Sequence, residues 1–154
     1  LYHKYKRYIN QENSTKKDCI ETMISRAYDY LGTEYIVGAS GKPGQGVDCS
    51  GLVMQALYAA GINPSPVNVI RHSQPGYEYE YRNLFNSKKF EKISYKNRKR
   101  GDLIFYSNSN GVIIHIAIYL GNDKVIESWP NKVVVWPIKN SHRSRIAGVR
   151  RVFN

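Results

Sequence analysis

Cysteine is scarce: two in 154 residues, thirty positions apart at Cys19 and Cys49. That is neither a disulfide framework nor a structural zinc set, which draws on about four Cys/His ligands in close pairs. Glycine (12) and proline (6) are too few for a collagen-like or low-complexity chain. Long hydrophobic runs are missing as well. The most apolar stretches, 112–120 and 133–138, are broken by His115 and Pro137 and fall far short of the ~20 residues a bilayer span requires. Acidic residues are also in deficit, 12 against 23 Lys and Arg. The resulting charge of +11 draws the molecule toward polyanions such as nucleic acid, anionic lipid or anionic wall polymer, and a basic solvated surface explains it equally well. No apolar leader follows Leu1, so an export signal or upstream domain would have to lie outside this sequence.

What is present suits one ordinary globular domain, with 42% hydrophobic and 23% charged residues. Residues 1–14 mix basic and aromatic side chains without an apolar period and read as an extended lead-in or linker; residues 15–154 form the domain. From Thr15, the residues Ile20, Met23, Ile24, Ala27, Tyr28 and Leu31 recur at helical spacing, with Gly32 as the expected C-terminal cap. Cys19 shares an i+4 row with Met23, Ala27 and Leu31 and is expected in the core. The stretch 38–46 holds four glycines and is loop. A second helix then opens with Asp48 as N-cap, carries the apolar stripe Leu52, Val53, Ala56, Leu57 and Ala60, and ends at Gly61. Residues 62–100 show only short elements. Beyond them, strands are predicted over 102–106, 112–120, 124–128, 132–136 and 146–153. Helices first and antiparallel strands later make the fold class α+β.

Cys49 falls in the first turn of the second helix, where unpaired backbone N–H groups and the positive end of the helix dipole favour thiolate over thiol. The glycine-rich approach lets those amides come near a ligand and hold an oxyanion. Phosphate is the rival ligand for such geometry, yet the loop lacks the G-K-[ST] ending of a P-loop and Asp48 would repel it. A small buried hydrophobe is the plain alternative for Cys49, and a Cys19–Cys49 disulfide stays open. His115 interrupts an apolar strand, sharing a face with Ile113, Ala117 and Tyr119, while Val112, Ile114, Ile116 and Ile118 share the other. Glu127 lies twelve positions on, symmetric about Gly121, so a hairpin centred there sets the two side chains opposite each other. A carboxylate against the imidazole would fix its tautomer, as in a Cys-His triad. A satisfied core histidine and an exposed strand carboxylate are the plain alternatives.

The runs GTEYIVGASGKPGQGVDCSGLVMQALYAAGI, RGDLIFY and HIAIYLGNDKVIES, in that order, resemble the NlpC-type bacterial cell-wall cysteine peptidases, a papain-like group. The likeness covers roughly residues 18–153. It implies that Cys49 is the nucleophile, His115 the base and Glu127 the orienting residue, a position more often His, Asn or Gln in that group. It also implies that Tyr35 helps line the oxyanion site and that Asp48 and Ser50 touch the substrate peptide. The implied substrate is the peptidoglycan stem peptide, cut between γ-D-glutamyl and the following diamino acid, with no metal or cofactor required. The implied location is secreted or cell-wall associated. An N-acetylmuramoyl-L-alanine amidase, a thiol acyltransferase and a non-catalytic wall-binding module remain as alternatives. A nucleic-acid binder is disfavoured, because the basic run 95–100 is short and precedes a strand rather than lying on a helix face.

Overall fold

In the computed structural model, which describes residues 1–64 and 66–154, helix α1 (Lys16–Tyr28) begins behind a capping box. Thr15 Oγ1 accepts from the Asp18 amide at 3.0 Å, and Asp18 Oδ2 accepts from the Thr15 amide at 3.1 Å. Cys19, Met23 and Ala27 form its buried row, as their spacing predicts. The helix stops about a turn before Gly32, and Tyr28 and Leu31, expected on the apolar stripe, are exposed. Tyr30 takes the inward place instead: fully buried, it donates its hydroxyl to the Gly41 carbonyl at 2.7 Å, which pulls the chain out of the helical path.

Helix α2 (Cys49–Ala59) carries the Asp48 cap expected of it, and Gly61 follows at φ +85°. Every residue of α2 is buried, because it is covered on more than one side. Part of that cover is the lead-in. The Tyr5 ring stacks on Tyr58 at 4.2 Å, and Gln55 Nε2 donates to the His3 and Ser40 carbonyls at 2.7 and 2.9 Å. The glycine loop presses on the same helix so closely that a Cβ at Gly51 would stand 2.1 Å from the Ala39 carbonyl oxygen. Both cysteines are free thiols.

Residues 62–100, of which Ser65 lies outside the described residues, hold helices α3 (Val69–His72) and α4 (Glu80–Phe85) and strand β1 (Glu91–Ile93). Then follow β2 (Leu103–Ser107), β3 (Ile113–Gly121), β4 (Lys124–Ser128), β5 (Val133–Pro137), α5 (Asn140–Arg143) and β6 (Ile146–Arg151). The six strands form one sheet in the order β1-β6-β2-β3-β4-β5 with every pairing antiparallel. The α+β order predicted from sequence holds, with β1 as an unforeseen edge strand. One face of the sheet packs against α2 and α4 in the main core, with α1 packed on α2; a smaller cluster around Ile104, Tyr106, Ala117 and Val125 lies on the other.

Two details of register correct the expected strand faces. β2 and β3 stay in step from Leu103–Ile118 to Tyr106–His115, then slip so that Ser107 faces Ile113. Ile114 is the extra residue of this bulge and is 45% exposed. Ile113 therefore turns to the helix-side core and does not share the face of His115, Ala117 and Tyr119. The hairpin between β3 and β4 turns on Asn122 and Asp123, both at positive φ (50° and 62°), and pairs Ile118 with Ile126 and Tyr119 with Val125. Its centre lies one residue later than Gly121, so Glu127 sits diagonal to His115 rather than opposite it. The shift moves each partner by two positions and so preserves which face each side chain occupies.

Candidate active site

His115 and Glu127 meet across that diagonal, with Nε2 2.5 Å from Glu127 Oε1, and the carboxylate is 1% exposed. The Trp136 indole N–H, from the next strand, donates to the other carboxylate oxygen. Burial alone would push the Glu127 carboxyl up, yet the hydrogen bonds from His115 and Trp136 hold it below the ordinary carboxylate range. The pair leaves only Nδ1 of His115 free for other chemistry. An imidazole so fixed can hold one tautomer and receive or deliver a proton at one defined atom.

Cys49 stands at the first position of α2, 3% exposed. Burial pushes its thiol well up, and the neighbouring Asp48 charge adds to that; hydrogen bonds from the backbone of Ile116, Ser50 and Cys49 itself work the other way. The helix-terminal position thus fails to yield the thiolate that the sequence favours, because desolvation outweighs it. The backbone of Ile116, the residue that follows His115, is thus among the groups acting on the sulphur. Two tyrosines sense the same sulphur. Half-buried Tyr35 is pushed up to about 12, first by burial and then by Cys49 and Asp48, while Tyr81 from α4 is raised by burial and then by Cys49.

Asp48 and Ser50, expected to touch a substrate, both point inward. Asp48 Oδ2 accepts from the Gly38 amide at 2.8 Å, and Oδ1 accepts from the Gly51 amide at 2.8 Å and faces His72 Nε2 at 2.6 Å. That carboxylate is saturated by the protein. Ser50 Oγ is buried without a partner among the described residues.

His72 is fully buried, and both ring nitrogens face acceptors: Nε2 the Asp48 carboxylate, Nδ1 the Tyr77 carbonyl at 3.1 Å. It ties α3 and the turn at Tyr77 to the head of α2. Removing one member of such a buried pair strands the other, so His72→Ala is expected to cost about 3 kcal/mol or more. The melting temperature then falls by roughly 6–12 °C for a chain of this size. Thermal unfolding followed by circular dichroism reads this, with His72→Gln recovering part of the loss because its amide can still donate to Asp48.

A cavity of about 440 Å³ opens beside the imidazole, with Tyr35, Tyr106, His115, Trp129, His142 and Arg145 on its wall. Sequence reasoning missed Trp136, Tyr81, His72, His142 and Arg145. Signals for two of them exist. Asn68 caps α3 through the Arg71 amide at 2.7 Å and so places His72 in a helical turn. Trp136 pairs with Val125 and thereby shares the face of Glu127.

Among known proteins, the NlpC/P60 family profile matches residues 32–151. The chain is 32% identical over 113 residues to the bifunctional muramidase/DL-endopeptidase CwlT of Bacillus subtilis, across 72% of this chain and 30% of that protein. It is 29% identical over 135 residues to the γ-DL-glutamyl hydrolase of the same organism, across 86% of this chain and 29% of that protein. The chain thus spans under a third of the length of these two relatives. The solved structure of the peptidoglycan hydrolase RipB from Mycobacterium tuberculosis aligns at a TM-score of 0.65 and 27% identity, covering 95% of this chain and 69% of that one. The shared architecture is papain-like.

Proposed function

The chain belongs to the NlpC/P60 family, and on that premise we propose that it is a cysteine endopeptidase acting on the stem peptide of peptidoglycan. The scissile amide is the one between γ-D-glutamyl and the following diamino acid, and residues 15–154 are the catalytic domain. The observation that carries this reading is the buried His115–Glu127 pair, 2.5 Å apart, on strands packed beside the helix that begins with Cys49. The names of the two B. subtilis relatives, a DL-endopeptidase and a γ-DL-glutamyl hydrolase, support the bond chosen.

In this reaction the Cys49 thiol gives its proton to His115 Nδ1 as the sulphur attacks the carbonyl carbon. The Cys49 and Ser50 amides at the head of α2, left over once the Asp48 cap has taken the Gly51 amide, hold the oxyanion together with the Tyr35 hydroxyl. His115 then returns the proton to the leaving amine, and water, deprotonated by the same imidazole, hydrolyses the thioester. Glu127 keeps the ring in register and supports its cationic form. A peptidoglycan substrate supports a location at the cell wall or outside the cell, where the +11 charge would favour contact with anionic wall polymers.

Digestion of purified peptidoglycan followed by mass spectrometry tests this. The expected products carry a free α-amine on the diamino acid and a free γ-carboxyl on D-glutamate. Peptides released whole from the muramic acid would instead mark an amidase, and products heavier by an added acceptor amine would mark an acyltransferase. Binding without any new fragment would mark a non-catalytic module.

A further inference from the structure

We propose that the cavity beside His115 seats the leaving diamino acid, and that Arg145 on its wall selects a residue whose side chain ends in a carboxylate. This rests on the peptidase reading above. His115 must protonate the amine that departs, so the half of the substrate bearing that amine lies on the imidazole side. His115 lines the cavity, and Cys49 is not on its wall. The acyl half therefore lies over the sulphur, and the diamino acid is left with the cavity.

The walls suit such a side chain. The Tyr106 and Trp129 rings and Ile114 offer apolar surface to methylene groups, and about 440 Å³ is within the range that encloses small ligands. At the polar end stand the 107–109 turn and Arg145. The latter is exposed and makes no ion pair among the described residues. Arg143, two positions earlier, is by contrast tied to Asp123. The backbone of Arg145 is anchored on both sides: its carbonyl accepts from the Ser107 amide at 2.8 Å, and its amide donates to the His142 carbonyl at 2.9 Å. Arg145 is thus held on the cavity wall by a fixed backbone.

No carboxylate is found among the described lining residues. Glu127, nearby, is buried with its oxygens occupied by His115 and Trp136. A side chain ending in an ammonium alone meets only a like charge here. One that also carries a carboxylate can form a charge-assisted, two-pronged hydrogen bond with the guanidinium.

The experiment compares kcat/KM on two tripeptides, L-Ala-γ-D-Glu-meso-diaminopimelate and L-Ala-γ-D-Glu-L-Lys, for the wild-type protein, Arg145→Gln and Arg145→Glu. The wild type should prefer the first by about tenfold or more. Arg145→Gln should lose about tenfold on it, mainly in KM, with little change on the lysine peptide, and Arg145→Glu should reverse the preference. Equal cleavage of the two by the wild type, or equal losses on both in Arg145→Gln, overturns the selection by Arg145 and leaves the peptidase reading standing. Cleavage of neither by the wild type overturns both.

Discussion

Cys49→Ala is expected to abolish release of soluble fragments from purified peptidoglycan, a fall of about 10⁶-fold in kcat. The sulphur is the sole atom at the head of α2 able to form the thioester, and neither Tyr35 nor Tyr81 can replace it while burial holds their hydroxyls protonated. Cys49→Ser, nearly isosteric in this buried site, should retain the fold and be equally inactive, which separates lost chemistry from lost structure. Survival of activity in either variant would remove Cys49 from the mechanism. The pH profile carries a sign of its own. Because burial raises the thiol, the resting protein holds it protonated near neutrality, and alkylation by iodoacetamide should accelerate by up to tenfold per pH unit as the solution is made alkaline. Cys19 is raised as well, by burial and then by Asp18, but lacks a base and helix-terminal amides. Peptide mapping assigns the modification to one cysteine or the other.

Local chemistry made part of this arrangement readable in the sequence. Asp48 as a cap with Cys49 behind it, and Cys19 in the core row of α1, depend on contacts within a few residues, and such contacts are written into spacing. The pairing of His115 with Glu127 survived a misplaced hairpin centre because strand parity is unchanged by a shift of two. Ile113 did not survive, since one bulged residue at Ile114 inverts the alternation and nothing in the apolar pattern marks it. Segment 62–100 was opaque for a different reason. Its elements are short and are held by distant partners: Arg82 Nε donates to the Ile113 carbonyl at 3.1 Å, and Arg150 Nε to the Phe85 carbonyl at 3.0 Å. Tyr81 and His72 reach the head of α2 from that segment. The state of the Cys49 thiol was hidden likewise, because the helix end favouring thiolate is local and the desolvation opposing it comes from the whole fold.

His115→Ala should lower kcat on the same substrate by about as much as loss of the nucleophile, since members of a proton-transfer unit act together and their effects are far from additive. With the thiol held protonated by burial, no attack proceeds until an acceptor removes the proton, and Nδ1 of His115 is the nitrogen left free by Glu127. Glu127→Ala should be milder by about two orders of magnitude, because the imidazole still exchanges protons after losing the contact that orients it. Glu127→Gln sharpens the comparison. Its amide oxygen can accept from Nε2–H and preserve the tautomer, whereas its amide nitrogen cannot accept from the Trp136 indole and lacks the charge that supports the imidazolium. A kcat for Glu127→Gln well above that of Glu127→Ala would assign the carboxylate chiefly to orientation; equal values would assign it to charge. Losses as severe as that of His115→Ala would make Glu127 an indispensable third member of the site. Single-turnover thioester formation followed by mass spectrometry reads all three variants at the step where the proton moves.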